Sequence, residues 1–175
     1  MKCTNSNNPN SRAIQPNGFT LMELLIVISI ILILMLMAIP TMGNMKKHAS
    51  ETSAIQSIKA INMAELQYDS MYPANGYSCK LAALGGETSS GPPSPTAAQM
   101  LQSDLASGYK SGYIFEISNC KTVSINGTDR VTGYTLTAVP QTVGQTGNRG
   151  FCSDEGGGTP KYDPAGGKNC TQLLQ

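Results

Sequence analysis

Hydrophobic and polar positions change rhythm twice along this chain. Residues 18–40 read G-F-T-L-M-E-L-L-I-V-I-S-I-I-L-I-L-M-L-M-A-I-P, and over 24–39 the sole polar residue is Ser29. From Lys46 the pattern becomes a stripe. Ala54, Ile55, Ile58, Ile61, Ala64, Tyr68 and Met71 recur at steps of three and four, with Ser, Lys, Gln, Asn and Glu between them, which is helical spacing. Pro73 and Gly76 stop it. The two stretches together predict one helix from Phe19 to about Met71, roughly 80 Å long at 1.5 Å per residue. Its first half is apolar all round and its second half on one face. Further on the period becomes two: Tyr113, Phe115, Tyr134, Leu136 and Ala138 alternate with polar neighbours. This predicts antiparallel strands at 112–118, 121–125 and 133–139, with turns at Ser118-Asn119 and Asn126-Gly127. Pro140 ends the third strand, and 149–153 reads as a short edge strand.

The remaining segments carry weaker signals. Gly85-Gly86 and the Ser- and Pro-rich stretch 89–95 are loop chemistry. Residues 96–105 read as a short helix with Thr96 as its N-cap. Eight glycines between Gly144 and Gly167 predict a loop-rich tail. The expected fold class is α+β, a long N-terminal helix packed on a small antiparallel β-sheet.

Glu23 is the residue that the hydrophobic pattern leaves unexplained. A secretory signal peptide has roughly 7–15 apolar residues and then small residues for cleavage. Here the run is longer, contains an acid and ends at Ala38-Ile39-Pro40 without an A-x-A site. A plain membrane anchor fits the length, since about 20 residues cross a bilayer. It does not account for Glu23 or for the junction at Gly18-Phe19. A lone carboxylate in such a helix is costly unless a cation meets it.

Gly18-Phe19-Thr20-Leu21-Met22-Glu23, with the apolar run after it, resembles the prepilin processing site of type IV pilins and type II secretion pseudopilins. The resemblance implies that a prepilin peptidase cuts between Gly18 and Phe19 and methylates the new amino group of Phe19. It divides the chain into a leader, 1–18; a transmembrane and filament-core half-helix, 19–42; and a periplasmic or extracellular head, 43–175. The head comprises an amphipathic half-helix (43–71), an αβ loop (72–111), the antiparallel sheet (112–140) and a C-terminal loop region (141–175). It also implies partners: other pilin subunits in a homopolymer, the peptidase, an inner-membrane assembly platform and a motor ATPase. The chain is then single-pass in the inner membrane before assembly, and in a surface pilus or periplasmic pseudopilus afterwards. The leader departs from the family pattern. It is long and polar, with five Asn but only Lys2 and Arg12 as basic residues.

The physical logic agrees with that resemblance. Cleavage creates an α-amino group on Phe19, cationic near neutral pH, and Glu23 lies one helical turn away. In a bundle of such helices, Glu23 of one subunit meets the Phe19 ammonium of its neighbour, and the pair fixes axial register. A weaker reading is that Glu23 only complements the dipole of its own helix. Pro40 removes a helical hydrogen bond, and Gly43 and Asn44 are poor helix formers. A bend at Pro40 and Gly43 is therefore expected within a continuing helix. The simpler alternative is that Pro40 ends the helix. Lys46, Lys47 and the single His48 read as charges at the boundary between the two halves.

Of five cysteines, Cys3 lies in the leader; Cys79, Cys120, Cys152 and Cys170 remain. An even number in an exported head predicts disulfides. Of three possible pairings, Cys79–Cys120 and Cys152–Cys170 tie each loop to its nearest element. A zinc site is disfavoured by the lack of Cys-x-x-Cys spacing, so no metal and no cofactor is expected. Asp154, Glu155 and Asp163 could supply oxygens to calcium, which some pseudopilins bind in the C-terminal loop; their wide glycine spacing fits a solvated turn equally well. The formal charge of +1 becomes −1 when Lys2 and Arg12 leave with the leader. No basic run points to strong nucleic-acid binding. The sequons at Asn126 and Asn169 read as chance. No nucleophile–base pair or phosphate loop points to catalysis, so the expected role is structural: a type IV pilus subunit, or alternatively a secretion pseudopilin.

Overall fold

The computed structural model describes residues 18–87, 91–125 and 127–174, with the backbone alone described at 37–42. The chain divides into two compact units, Met1–Pro40 and Thr41–Gln175. Helix α1, Leu21–Met71, supplies the first unit's described helical residues and the opening of the second. In the first unit the side chains from Phe19 to Leu36 are exposed; Phe19 itself is 82% exposed. Among the described residues no helix is long and apolar enough to cross a membrane. The described side chains of the apolar run stop at Leu36, and the sequence run continues to Ile39.

The second unit is a helix against a sheet. Two one-turn helices, α2 (Leu81–Leu84) and α3 (Ser103–Ala106), lead into strands β1 (Tyr109–Lys110), β2 (Tyr113–Ile125), β3 (Thr128–Pro140), β4 (Gly150–Asp154), β5 (Lys161–Asp163) and β6 (Gln172–Leu173). They form one six-stranded antiparallel meander in chain order. This is the α+β arrangement that the two hydrophobic periods predict. Ala54, Ile58, Ile61, Ala64 and Tyr68 of α1 share one buried cluster with Tyr113 and Phe115 of β2, Tyr134, Leu136 and Ala138 of β3, and Phe151 of β4. Each such large apolar side chain stabilises the head by about 1.5–3 kcal/mol. The helical stripe ends at Tyr68, one turn earlier than expected, because Met71 is half exposed.

Three local expectations are corrected. The predicted turn at Ser118-Asn119 is a bulge inside one continuous strand. Asn119 adopts φ 50°, the left-handed region that Asn tolerates. Register shifts there, but β2 goes on pairing with β3 to Ile125↔Thr128. Asn126 of the predicted hairpin turn lies outside the described residues. The predicted 96–105 helix forms only over α3, and Thr96 does not cap it; Gln102 stands at that position. Gln99 has φ 59°, and the amides of Ala98, Gln99, Met100 and Leu101 donate to the carbonyls of Ala83, Gly85 and Leu84. They satisfy the otherwise unpaired acceptors at the end of α2 instead of building a helix of their own. Lastly, the sheet does not end at Pro140. β4 is an inner strand, and β5 and β6 extend the sheet into the glycine-rich region. Gly150 of β4 lies against the backbone of Gly167, where any β-carbon would collide. Strands of two or three residues give no alternation to read.

The structure joins Cys79 to Cys120 and Cys152 to Cys170. The first ties the segment after α1 to the β2 bulge, and the second folds the chain after β5 back onto β4. Each closes a loop, and so restricts the unfolded chain.

Candidate functional site

The N-terminal site is built on the first turn of α1. Thr20 stands just before the helix, and its hydroxyl accepts from the Glu23 amide at 3.2 Å. Its carbonyl accepts the Leu24 amide at 3.2 Å. Thr20 is therefore the N-cap of α1, with Glu23 at the third helical position, the Thr-x-x-Glu pattern of a capping box. The sequence pattern did not single out Thr20 for this role, because it predicts the helix from Phe19 and not from Leu21. The cap fixes where the helix starts, and so sets how far Glu23 lies from Phe19. Glu23 is exposed, and among the described residues it has no ion-pair partner. An acid there favours the helix N-terminus by about 0.3–1 kcal/mol, far less than a charge in an apolar bundle costs.

Among the described residues, a β-carbon built on Gly18 meets nothing within 4 Å. The same holds at Gly43, inside α1. The α1 backbone is helical through Pro40 and Gly43.

A family model of the prokaryotic N-terminal methylation motif matches residues 16–39. The chain carries the type IV pilin and pseudopilin signal. No curated protein and no solved structure gives a match. The methylation motif thus covers the Gly18-Phe19 pair and the apolar run, while the rest of the chain stands on its own geometry. The motif is that of a structural protein family, and it implies processing by prepilin peptidase and polymerisation with other subunits.

Behind the motif, polar side chains of α1 fasten it to the rest of the head. Glu51, buried on α1, accepts the Asn148 and Arg149 amides at 2.9 and 3.2 Å, and the Arg149 guanidinium at 2.9 and 2.7 Å. Burial pushes the Glu51 carboxyl up, but the Asn148 amide and the Arg149 guanidinium outweigh it and hold the group below its ordinary value. The guanidinium also lies over the rings of Phe151 and Tyr162, at 5.6 and 5.3 Å. Asn62 accepts the Tyr134 hydroxyl at 3.0 Å and donates to Ser153 at 2.7 Å. Asp69 pairs with Arg130 at 2.7 Å. The apolar stripe did not reveal Glu51, Asn62 or Glu65, because buried polar residues look like solvent-facing ones until their partners are placed.

The C-terminal acids are dispersed. Asp154 accepts the Gly156 amide, Asp163 accepts those of Ala165 and Asn169, and Glu155 accepts that of Tyr134. Hydrogen bonding to its own amide and that of Tyr134, with Lys121 nearby, keeps Glu155 below its usual value despite burial. Among the described residues no group of three or more His, Cys, Asp or Glu side chains comes together as a metal site.

Proposed function

We propose that this chain is a structural subunit of a type IV pilus, cut after Gly18, methylated on Phe19 and polymerised through its N-terminal helix. The observation that carries the reading is Glu23, held by the Thr20 cap in the first turn of an exposed apolar helix within the methylation motif. In the assembled filament, Glu23 pairs with the Phe19 ammonium of a neighbouring subunit, and residues 19–42 pass from the membrane into the filament core. The bend at Pro40 and Gly43 belongs to this proposal. A glycine that nothing crowds costs a helix about 1 kcal/mol relative to alanine, so Gly43 supports local loosening there during packing. Among the described residues nothing crowds a side chain at Gly18, which supports a demand made by the peptidase. Gly18→Leu is accordingly expected to accumulate as uncut precursor on an immunoblot, and Gly18→Ala to be cut more readily. A Gly18→Leu chain that begins at Phe19 would contradict the assignment.

The second reading is a type II secretion pseudopilin, which shares the motif and the assembly mechanism. The Cys152–Cys170 disulfide near the C-terminus favours the pilus. Fractionation separates the two. A pilus subunit is abundant in filaments sheared from the cell surface, whereas a pseudopilin stays with membranes and periplasm.

A further inference from the structure

Glu65 is the one charged side chain of the described residues that is 0% exposed. It sits on α1 between Ile61 and Tyr68, within the apolar stripe. A carboxyl there loses its hydration, a cost that an apolar side chain would not carry. What it meets in return is a pair of backbone donors. Its Oε2 accepts the Ser78 amide at 2.7 Å, and the Cys79 amide bonds to the same carboxyl.

Cys79 is a residue that needs holding. Its φ is 58°, a costly conformation for a residue with a side chain. It is disulfide-bonded to Cys120, which follows Asn119, at φ 50°, in the β2 bulge. Left-handed backbone therefore stands at both ends of this bond. The other ties of the segment after α1 stop short of it. The Tyr77 amide donates to the Val131 carbonyl at 3.1 Å, and the Val131 amide to the Asn75 carbonyl at 2.8 Å. The Tyr77 ring lies edge-on to Tyr134, with centroids 5.1 Å apart. Among the described residues, the bonds that hold the Ser78 and Cys79 amides are those to Glu65. Chain entropy also works against this disulfide. Cys79 and Cys120 are 41 residues apart, against 18 for Cys152 and Cys170, and the longer loop is the harder to close.

We propose that Glu65 is a positioning residue for oxidative folding: it pins the Ser78 and Cys79 amides to α1 and so presents the Cys79 thiol to Cys120 before the disulfide forms. The clamp spans 13 residues of sequence, so it closes on α1 at small entropic cost, before β2 has to arrive. The covalent step is ordinary thiol–disulfide exchange with a disulfide donor such as glutathione disulfide. One cysteine thiolate attacks the donor and releases one glutathione thiolate. The other cysteine thiolate then attacks the protein sulfur of the mixed disulfide and releases the second. Two protein thiols give up two electrons and two protons, and the donor is reduced to two glutathione molecules. Glu65 exchanges no proton or electron in this sequence; it shortens the search that precedes the second attack. Burial raises its carboxyl from 4.5 to about 7, against the opposing amides. Its contribution to overall stability thus falls as pH rises towards 7, while its oxygens accept most strongly once ionised. Positioning and stability are separable at pH 8.

Reoxidation of the reduced, denatured full-length chain by glutathione disulfide at pH 8 in detergent micelles tests this. A Cys3→Ser background removes the fifth thiol, free thiols are blocked at intervals, and the bonds are mapped by peptide mass spectrometry. Glu65→Leu removes both acceptor oxygens. It should form Cys79–Cys120 at least about tenfold more slowly than the parent and Cys152–Cys170 at the parent rate. Glu65→Gln keeps one acceptor oxygen, so its Cys79–Cys120 rate should fall between those of the parent and Glu65→Leu, again with Cys152–Cys170 unchanged. The parent rate for Cys79–Cys120 in Glu65→Leu would overturn the proposal. Equal slowing of both bonds would assign Glu65 a general role in folding and overturn it too. Where the Leu variant does not fold, the Gln variant decides: slowing confined to Cys79–Cys120 supports the proposal, and any other pattern overturns it.

Discussion

Glu23→Ala is expected to be cut after Gly18 as efficiently as the wild type and to yield less than about a tenth of its sheared filaments. On the proposed reading the cut depends on Gly18 and the residues beside it, which the substitution leaves in place. Thr20 still caps α1 through the residue-23 amide, a backbone group, so the helix start is preserved. What is lost is the carboxylate that, in the proposed assembly, meets the Phe19 ammonium of the next subunit. An apolar bundle then holds an uncompensated charge, and removing one partner of a buried pair costs about 3–5 kcal/mol. Even about 3 kcal/mol at each subunit addition weakens the contact by more than a hundredfold. Glu23→Gln keeps the size and the helix cap but not the charge, and should fail similarly. Immunoblots of the sheared and membrane fractions check both, since processed chain should accumulate in membranes. Wild-type filament yield from either variant would refute the pairing.

The second large effect lies in the head. Arg149→Ala should lower its stability by about 3–5 kcal/mol, because Glu51 is left as a buried carboxylate whose Oε2 has lost both guanidinium bonds. At roughly 2–4 °C per kcal/mol for a domain of this size, thermal unfolding followed by circular dichroism should shift down by about 10 °C. Replacing both partners, as in Glu51→Leu with Arg149→Met, should cost less than the single change, because no charge is stranded. A double variant as unstable as Arg149→Ala would assign the loss to packing on Phe151 and Tyr162 instead. The pH dependence follows from the depressed carboxyl. A folded-state pKa below the ordinary 4.5 gives stabilisation that is present above that value and is lost as pH falls through the lower one. Glu51 thus weakens the head in acid, whereas Glu65 weakens it as pH rises towards 7.

What the sequence discloses depends on how many residues share one period. Over α1 the stripe from Ala54 to Tyr68 repeats at 3.6 residues per turn, and over β2 and β3 Tyr113, Phe115, Tyr134, Leu136 and Ala138 alternate, so both are readable. β5 and β6 are too short to hold a period. β5 pairs with the edge that β4 offers, and β6, just after Cys170, pairs with β5. Residues 96–105 have helical composition, yet their amides go to the end of α2, a tertiary choice that local propensity does not encode. At the N-terminus the legible part was chemical. Gly18, Phe19 and Glu23 stand out as exceptions to an apolar run, while Thr20 was hidden because a cap is recognised only once the first helical residue is known. The buried Glu51, Asn62 and Glu65 were hidden for the complementary reason: their partners lie in loops and strands from residue 78 onwards.

A mass spectrum of the N-terminal peptide from sheared surface filaments is the most direct test of processing and assembly together. The expected peptide begins with N-methylated Phe19. A peptide that begins at Met1, or one cut near Pro40, would contradict the assignment of this chain as a processed filament subunit.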